Sequence, residues 1–278
     1  MNIKSIIFAI VLLVIAWVCQ QHLNRKLRLF SNTFINKDCI IHYRETFDVR
    51  SFSFDRKQGI RCAKYIIDLE RIVNGNKFID RGERIVKTFV FNGMLLGYIL
   101  KIENTLVCVI RGTYTLTEWF VNTDCSQVDM PICNDIIKCH QGYYKIYTEV
   151  LKNGIHSTIH EHLSIIEDII FCGHSLGAGI ASVASLDVAN TYKNMNVTSF
   201  LFGSPKVFGI LKKSSITIPN IWRICNKSDV VINLPITNVP GFNTCFIYKH
   251  VGESVDICIY TNSLFGNHKM KTYLDGLM

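Results

Sequence analysis

The hydrophobic pattern divides the chain into stretches of different character. From Ile6 to Val18 every position is apolar (IIFAIVLLVIAWV), with Lys4 before it and Gln20, Gln21 and His22 after it. The run falls short of the roughly 20 residues that cross a bilayer and has no polar face. It reads as a signal peptide or an uncleaved signal anchor over residues 1–22. Trp17 and Val18 make poor cleavage positions, which favours retention. Lys4 on one side and Arg25, Lys26 and Arg28 on the other leave its orientation open.

Leu23 to Asn76 is mixed and mostly helical in pattern, closed by the turn Asn74-Gly75-Asn76. Three runs rich in β-branched and aromatic residues follow: Ile85 to Phe91, Leu95 to Ile102 and Thr105 to Ile110. Asn92-Gly93 and Glu103-Asn104 separate them at hairpin spacing. After a polar, cysteine-rich stretch from Thr113 to Cys139, Gly142 to Leu163 has helical period, with Tyr143, Ile146, Tyr147, Val150 and Leu151 on one face. Ile165 to Cys172, Val197 to Phe202 and Ile221 to Cys225 are candidate buried strands, and Leu176 to Ala189 is a helix of small and apolar residues. Strands alternating with helices predict an α/β fold, with a mostly parallel central sheet flanked by helices. Without repeats or a linker, residues 23–278 form one expected domain.

Composition agrees with a large core: of 278 residues, 49% are hydrophobic and 19% charged. The net charge of +8 is scattered, with no basic cluster interleaved with aromatics, so no nucleic-acid site is expected. It suits an anionic membrane surface. Of eleven cysteines, Cys19 adjoins the apolar run, and the even remainder is compatible with disulfides in an oxidising compartment. Cys125, Cys133 and Cys139 crowd one loop, Cys245 and Cys258 flank an expected hairpin, and the pairing stays open. Cys108 and Cys172 lie in strand-like runs and read as core thiols. No zinc-type spacing is present, so no metal is expected.

One motif carries chemistry. Gly173-His174-Ser175-Leu176-Gly177 lies between the strand ending at Cys172 and the helix starting at Leu176. This GxSxG sits where a strand turns sharply into a helix, the setting of a nucleophile elbow. Glycines leave room for a strained turn, the turn lifts the hydroxyl clear of the sheet, and the helix N-terminus favours a developing oxyanion.

Cys172 to Ala178 resembles the elbow of the class 3 lipases, the family of the filamentous-fungal triacylglycerol lipases. Further segments are similar to that family in collinear order. They are Val109 to Thr113 with Trp119, His140 to Tyr143, Phe202 to Val207, Arg223 to Val230 with Leu234-Pro235, and His250 to Glu253. The resemblance runs from about Ile85 to the end and implies an α/β-hydrolase fold for 23–278. It also implies a serine hydrolase cleaving carboxylic esters of lipids, triacylglycerol lipase-like or alternatively of phospholipase A1 or monoacylglycerol type, working at a membrane or lipid-droplet interface. A catalytically silent, membrane-tethered binding protein of the same fold is the competing class.

By the same resemblance Ser175 is the nucleophile and Asp229 the acid, although local sequence alone would make Asp229 an exposed turn residue. Triad order leaves His250 and His268 as candidate bases. His268, in a segment similar to the family's HxxxxY helix start ending at Tyr273, is chosen; His250 matches a structural histidine. His174 is expected to pack under the elbow and His140 to brace the turn near Thr113. Elbow geometry makes the Leu176 amide one oxyanion donor, and the resemblance adds Thr113 as the second. No cofactor is implied. Thr115 to Ile137 occupies the place of the family's lid, with Trp119, Phe120 and Val121 as its apolar face, or else is a covering loop. Ile210 to Thr217 is irregular where the family continues a helix, and Lys206 stands where arginine is frequent.

Overall fold

The computed structural model describes residues 54–76, 83–113, 126–133, 135–211, 216–235, 237–240 and 245–278. It opens with helix α1 (Arg56–Val73), capped by Asp55, whose side chain accepts from the Gln58 amide at 3.0 Å. Cys62, Ala63, Ile66 and Leu69 form its buried stripe at helical spacing. The helix ends at Asn74, and Gly75 follows with φ of +85°.

Strands β1 (Arg84–Phe91), β2 (Met94–Ile102) and β3 (Thr105–Ile110) form the antiparallel meander expected from their spacing. A separate hairpin, β4 (Gln127–Ile132) and β5 (Asp135–His140), comes next. Helix α2 (Gln141–Ile146) passes through a π-helical turn (Tyr147–Leu151) into α3 (Lys152–His162). Then follow β6 (Asp168–His174), α4 (Leu176–Thr191), β7 (Asn196–Phe202) and β8 (Asn220–Asn226). The short strands β9 (Asn238–Pro240) and β10 (Cys245–Ile247) pair with each other. Strand β11 (Glu253–Ile257) and helices α5 (Leu264–His268) and α6 (Met270–Leu277) complete the chain.

The main sheet has the order β1-β2-β3-β6-β7-β8-β11. From β3 onward every neighbouring pair is parallel. Both faces are covered, which is why its strands read as unbroken apolar runs. Leu106, Cys108 and Ile110 of β3 pack on the side of α2, α3 and α4. Val107 and Val109 face the side of α1 and α6. Cys108 and Cys172 are core thiols, as expected, and burial pushes both well above the usual thiol range.

Three expectations change. Thr115 to Ile137 was expected to be a lid or a covering loop, yet its described part from Gln127 on belongs to a hairpin over 127–140, with Met130, Ile132, Ile137 and Cys139 buried. Pro131 within a short run masked its alternation. Residues 114–125, including Trp119, Phe120 and Val121, lie outside the described residues. Cys245 and Cys258 do not flank a hairpin: β10 pairs with β9, whereas β11 adds in parallel to β8. Between them Gly252 has φ of +86°, and a Cβ there would lie 2.4 Å from Ile221 Cβ. Finally, Cys62, Cys108, Cys133, Cys139, Cys172, Cys225 and Cys258 are all free thiols.

The apolar run Ile6–Val18 also lies outside the described residues, as do all of 1–53. Among the described residues no helix is long and apolar enough to cross a membrane.

Candidate active site

Strand β6 stops at His174 and α4 starts at Leu176, leaving Ser175 alone at the corner with φ of +56° and ψ of −120°. A non-glycine residue in that region carries strain of order 1–3 kcal/mol. The neighbouring glycines make the corner possible. A Cβ at Gly173 would sit 2.3 Å from the Gly177 backbone oxygen, and one at Gly177 2.4 Å from those of Ile110 and Arg111. The Ser175 carbonyl accepts from the Ala178 and Gly179 amides at 3.0 and 3.1 Å. Its own amide donates to the Phe202 carbonyl at 3.0 Å, which pins the corner to the end of β7. Every residue from Leu176 to Asn190 is buried, so α4 is held firmly with its N-terminus at the corner.

Asp229 follows β8 and is buried. It is no exposed turn residue: Oδ1 accepts from the Val231 amide at 2.9 Å, and Oδ2 accepts from His268 Nδ1 and the Tyr273 hydroxyl, each at 2.5 Å. His268 closes α5 and is buried too. With Nδ1–H donated to Asp229, the neutral ring leaves Nε2 with a free lone pair on its other side. That Nε2 is buried and has no hydrogen-bond partner among the described residues. Burial lowers the pKa of His268, the Asp229 charge and hydrogen bond oppose it, and the net position is below the usual histidine value. The ring is therefore neutral at pH 7. A Cβ at Gly203, directly after the β7 end to which Ser175 is tied, would lie 3.0 Å from His268 Cε1. Serine corner and imidazole thus flank the same strand end.

Asn226 braces the acid and the histidine together. Its Nδ2 donates to the backbone oxygens of Ile259 and Asn267, and Asn267 Nδ2 donates to that of Ser228. The Asn226 sequon is thereby closed to a glycan, its amide being buried and bonded.

Thr113 is half-buried and ends the β3 turn. A Cβ at the adjacent Gly112 would lie 3.2 Å from Ser175 Cβ, so that turn lies against the elbow. Buried Arg111 holds it, donating from Nε to Leu95 O at 2.6 Å and from Nη1 to Gly112 O at 2.7 Å. Leu176 contributes the first amide of α4. His140 has a local duty: Nδ1 accepts from the Gly142 amide at 3.1 Å, capping α2, and its ring stacks on Tyr143 at 4.2 Å. His250 bonds Ile232 O at 2.7 Å, and burial pushes its pKa down to about 3, a neutral structural ring. Tyr273 was visible only as the end of a motif; its hydroxyl on Asp229 was not foreseen, because a helical tyrosine carries no local signal of its partner.

The family model for lipase (class 3) matches residues 107–239. Phospholipase A1-II 1 of Oryza sativa subsp. indica is 30% identical over 196 residues, covering 62% of this chain and 49% of the rice protein. The chloroplastic galactolipase DONGLE of Arabidopsis thaliana is 24% identical over 213 residues, covering 61% and 44%. The chain therefore spans about half the length of the curated relatives it matches. Among solved structures, the triacylglyceride lipase of Rhizomucor miehei superposes with a TM-score of 0.56 at 20% identity, over 74% of this chain and 80% of that one. Its mostly parallel sheet with flanking helices is the α/β-hydrolase fold shared here.

Proposed function

We propose that this chain belongs to the class 3 lipase family, whose model matches residues 107–239, and is a serine hydrolase that cleaves carboxylic esters of lipids through an acyl-enzyme. The observation that carries the reading is the buried Asp229–His268 pair, whose imidazole lies against Gly203, next to the Phe202 carbonyl that holds the Ser175 corner. In this reading Ser175 Oγ attacks the ester carbonyl while His268 Nε2 takes its proton. Asp229 stabilises the imidazolium that forms. The Leu176 amide and Thr113 receive the negative oxygen, each donor of this kind contributing about 3 kcal/mol. His268 then returns the proton to the departing alcohol oxygen. Water attacks the acyl-enzyme by the same route and releases the fatty acid.

Neutral glycerides are the leading substrates, met at a membrane or lipid-droplet interface. A second reading, hydrolysis of one acyl chain of a polar lipid, is favoured by the phospholipase A1 and galactolipase relatives. The silent-scaffold alternative is opposed by an intact Ser175, Asp229 and His268, each held by bonds a mere scaffold would not need.

The test is labelling by a fluorophosphonate, with hydrolysis of triacylglycerol, phosphatidylcholine and galactolipid vesicles measured in parallel. Parental chain should be labelled and Ser175→Ala should not, with turnover falling by more than about a thousandfold. Label retained by the alanine variant removes Ser175 from the role. The panel decides between the two substrate classes.

A further inference from the structure

One buried ring beside the nucleophile has no part in the mechanism above. His174 Nε2 lies 2.7 Å from the backbone oxygen of His268. A carbonyl oxygen only accepts, so Nε2 must carry the proton. In the neutral ring Nδ1 is then a bare acceptor. It is buried, has no hydrogen-bond partner among the described residues, and stands 3.6 Å from Glu70 Oε1. A proton on Nδ1 would convert that contact into an ion pair. The His174 and His268 rings are 4.7 Å apart between centroids. Glu70 belongs to α1, outside the residues matched by the family model.

We propose that His174 and Glu70 are a positioning pair for His268: His174 fixes the backbone of the base through its Nε2–H, and Glu70, 3.6 Å from the His174 ring, places a negative charge beside the site. The pair has this role only with His268 as the base, the reading given above. Two consequences follow from the geometry. Losing the Nε2–H leaves a buried carbonyl unsatisfied and lets the imidazole drift, which slows turnover without weakening substrate binding. The Glu70 anion favours the imidazolium of His268, so its removal eases deprotonation of the base. Among the described residues, Asp229 after β8 and Tyr273 on α6 also face the two rings.

The experiment uses the full chain and a soluble short-chain p-nitrophenyl ester, with kcat and KM followed across pH. His174→Ala should lower kcat by about tenfold or more with KM nearly unchanged, since one lost hydrogen bond is worth about that factor. His174→Gln, whose amide N–H reaches a similar place, should recover most of the loss. Glu70→Gln should move the acid limb of kcat/KM to lower pH by a few tenths of a unit, and 1 M salt should shrink that shift because Glu70 is half-exposed. A glutamine variant at 174 no faster than the alanine variant, or an unmoved limb in Glu70→Gln, overturns the proposal. Glu70→Gln carries the test should His174→Ala fail to fold. Failure of the parent reading looks different: His268→Ala would keep its turnover, and Ser175 of the parental chain would take no fluorophosphonate.

Discussion

At the scale of single residues, the site is defined by what surrounds each polar atom. Asp229 Oδ2 serves two donors at once, His268 Nδ1 and the Tyr273 hydroxyl. Burial, with the Asp229 charge behind it, pushes the Tyr273 phenol far above its usual range, so it stays a donor at every working pH. Removing that donor concentrates the carboxylate charge on His268 and stabilises the imidazolium. Tyr273→Phe is therefore expected to move the acid limb of kcat/KM upward, opposite in sign to Glu70→Gln, while costing about 1–2 kcal/mol of stability. A pH–rate profile and a urea melt of the same sample check both halves. An acid limb that moves down would mean that Tyr273 does not act through Asp229.

At the scale of elements, α4 links two polar centres. Its N-terminus forms the elbow, while near its other end Asp187 is buried among groups from two other elements. Tyr147 of the π-helical turn donates its hydroxyl at 2.5 Å, His156 Nε2 of α3 lies at 3.0 Å, and Lys152 Nζ at 3.2 Å. Burial alone would raise the Asp187 pKa, but the hydrogen bonds from His156 and Tyr147 and the Lys152 charge outweigh it, and the net shift is downward. A carboxyl depressed in the folded state stabilises the fold above its unfolded pKa of about 3.9, and that stability is lost as pH falls through the folded value. Asp187→Asn should thus cost about 1–3 kcal/mol at pH 7, and the gap to the parental chain should close as the pH is taken below the carboxylate range. Denaturant melts at neutral and acid pH measure it; a gap that persists in acid would assign the loss to packing instead.

The same element view explains what the sequence disclosed. Strands β2, β3 and β6 to β8 were legible because burial on both faces makes their runs continuous, β1, largely exposed, by its β-branched and aromatic content before a turn signal, and α4 because it follows a glycine-bounded corner. Ser175 was legible locally; Asp229 and His268 were legible only through resemblance, since their partners are 39 residues apart in the chain. Hairpin β4–β5 and the pairing of β10 with β9 were not legible, being short ribbons set by tertiary contacts rather than by period. Glu70 looked like any charge on a helix.

For the whole molecule, the question is how far the functional unit extends beyond residues 107–239. Helix α1 lies outside that span, yet with α6 it packs on one face of the sheet: Cys62, Ile66 and Leu69 lie in one cluster with Tyr98, Phe200, Phe202 and Tyr273. Leu69 is fully buried and immediately precedes Glu70. Leu69→Ala should cost about 2–5 kcal/mol, the range for a cavity left by a core leucine. Against a typical domain stability of about 5–15 kcal/mol such a loss leaves a folded but loosened protein. Because the same turn of helix sets the Glu70 carboxylate against His174, loosening it should also displace the acid limb of kcat/KM in the direction expected for Glu70→Gln. A thermal melt and a pH–rate profile test the two effects together. A variant destabilised as expected but with an unmoved limb would show that α1 supports the sheet without reaching the chemistry; both effects together would make it part of the catalytic unit.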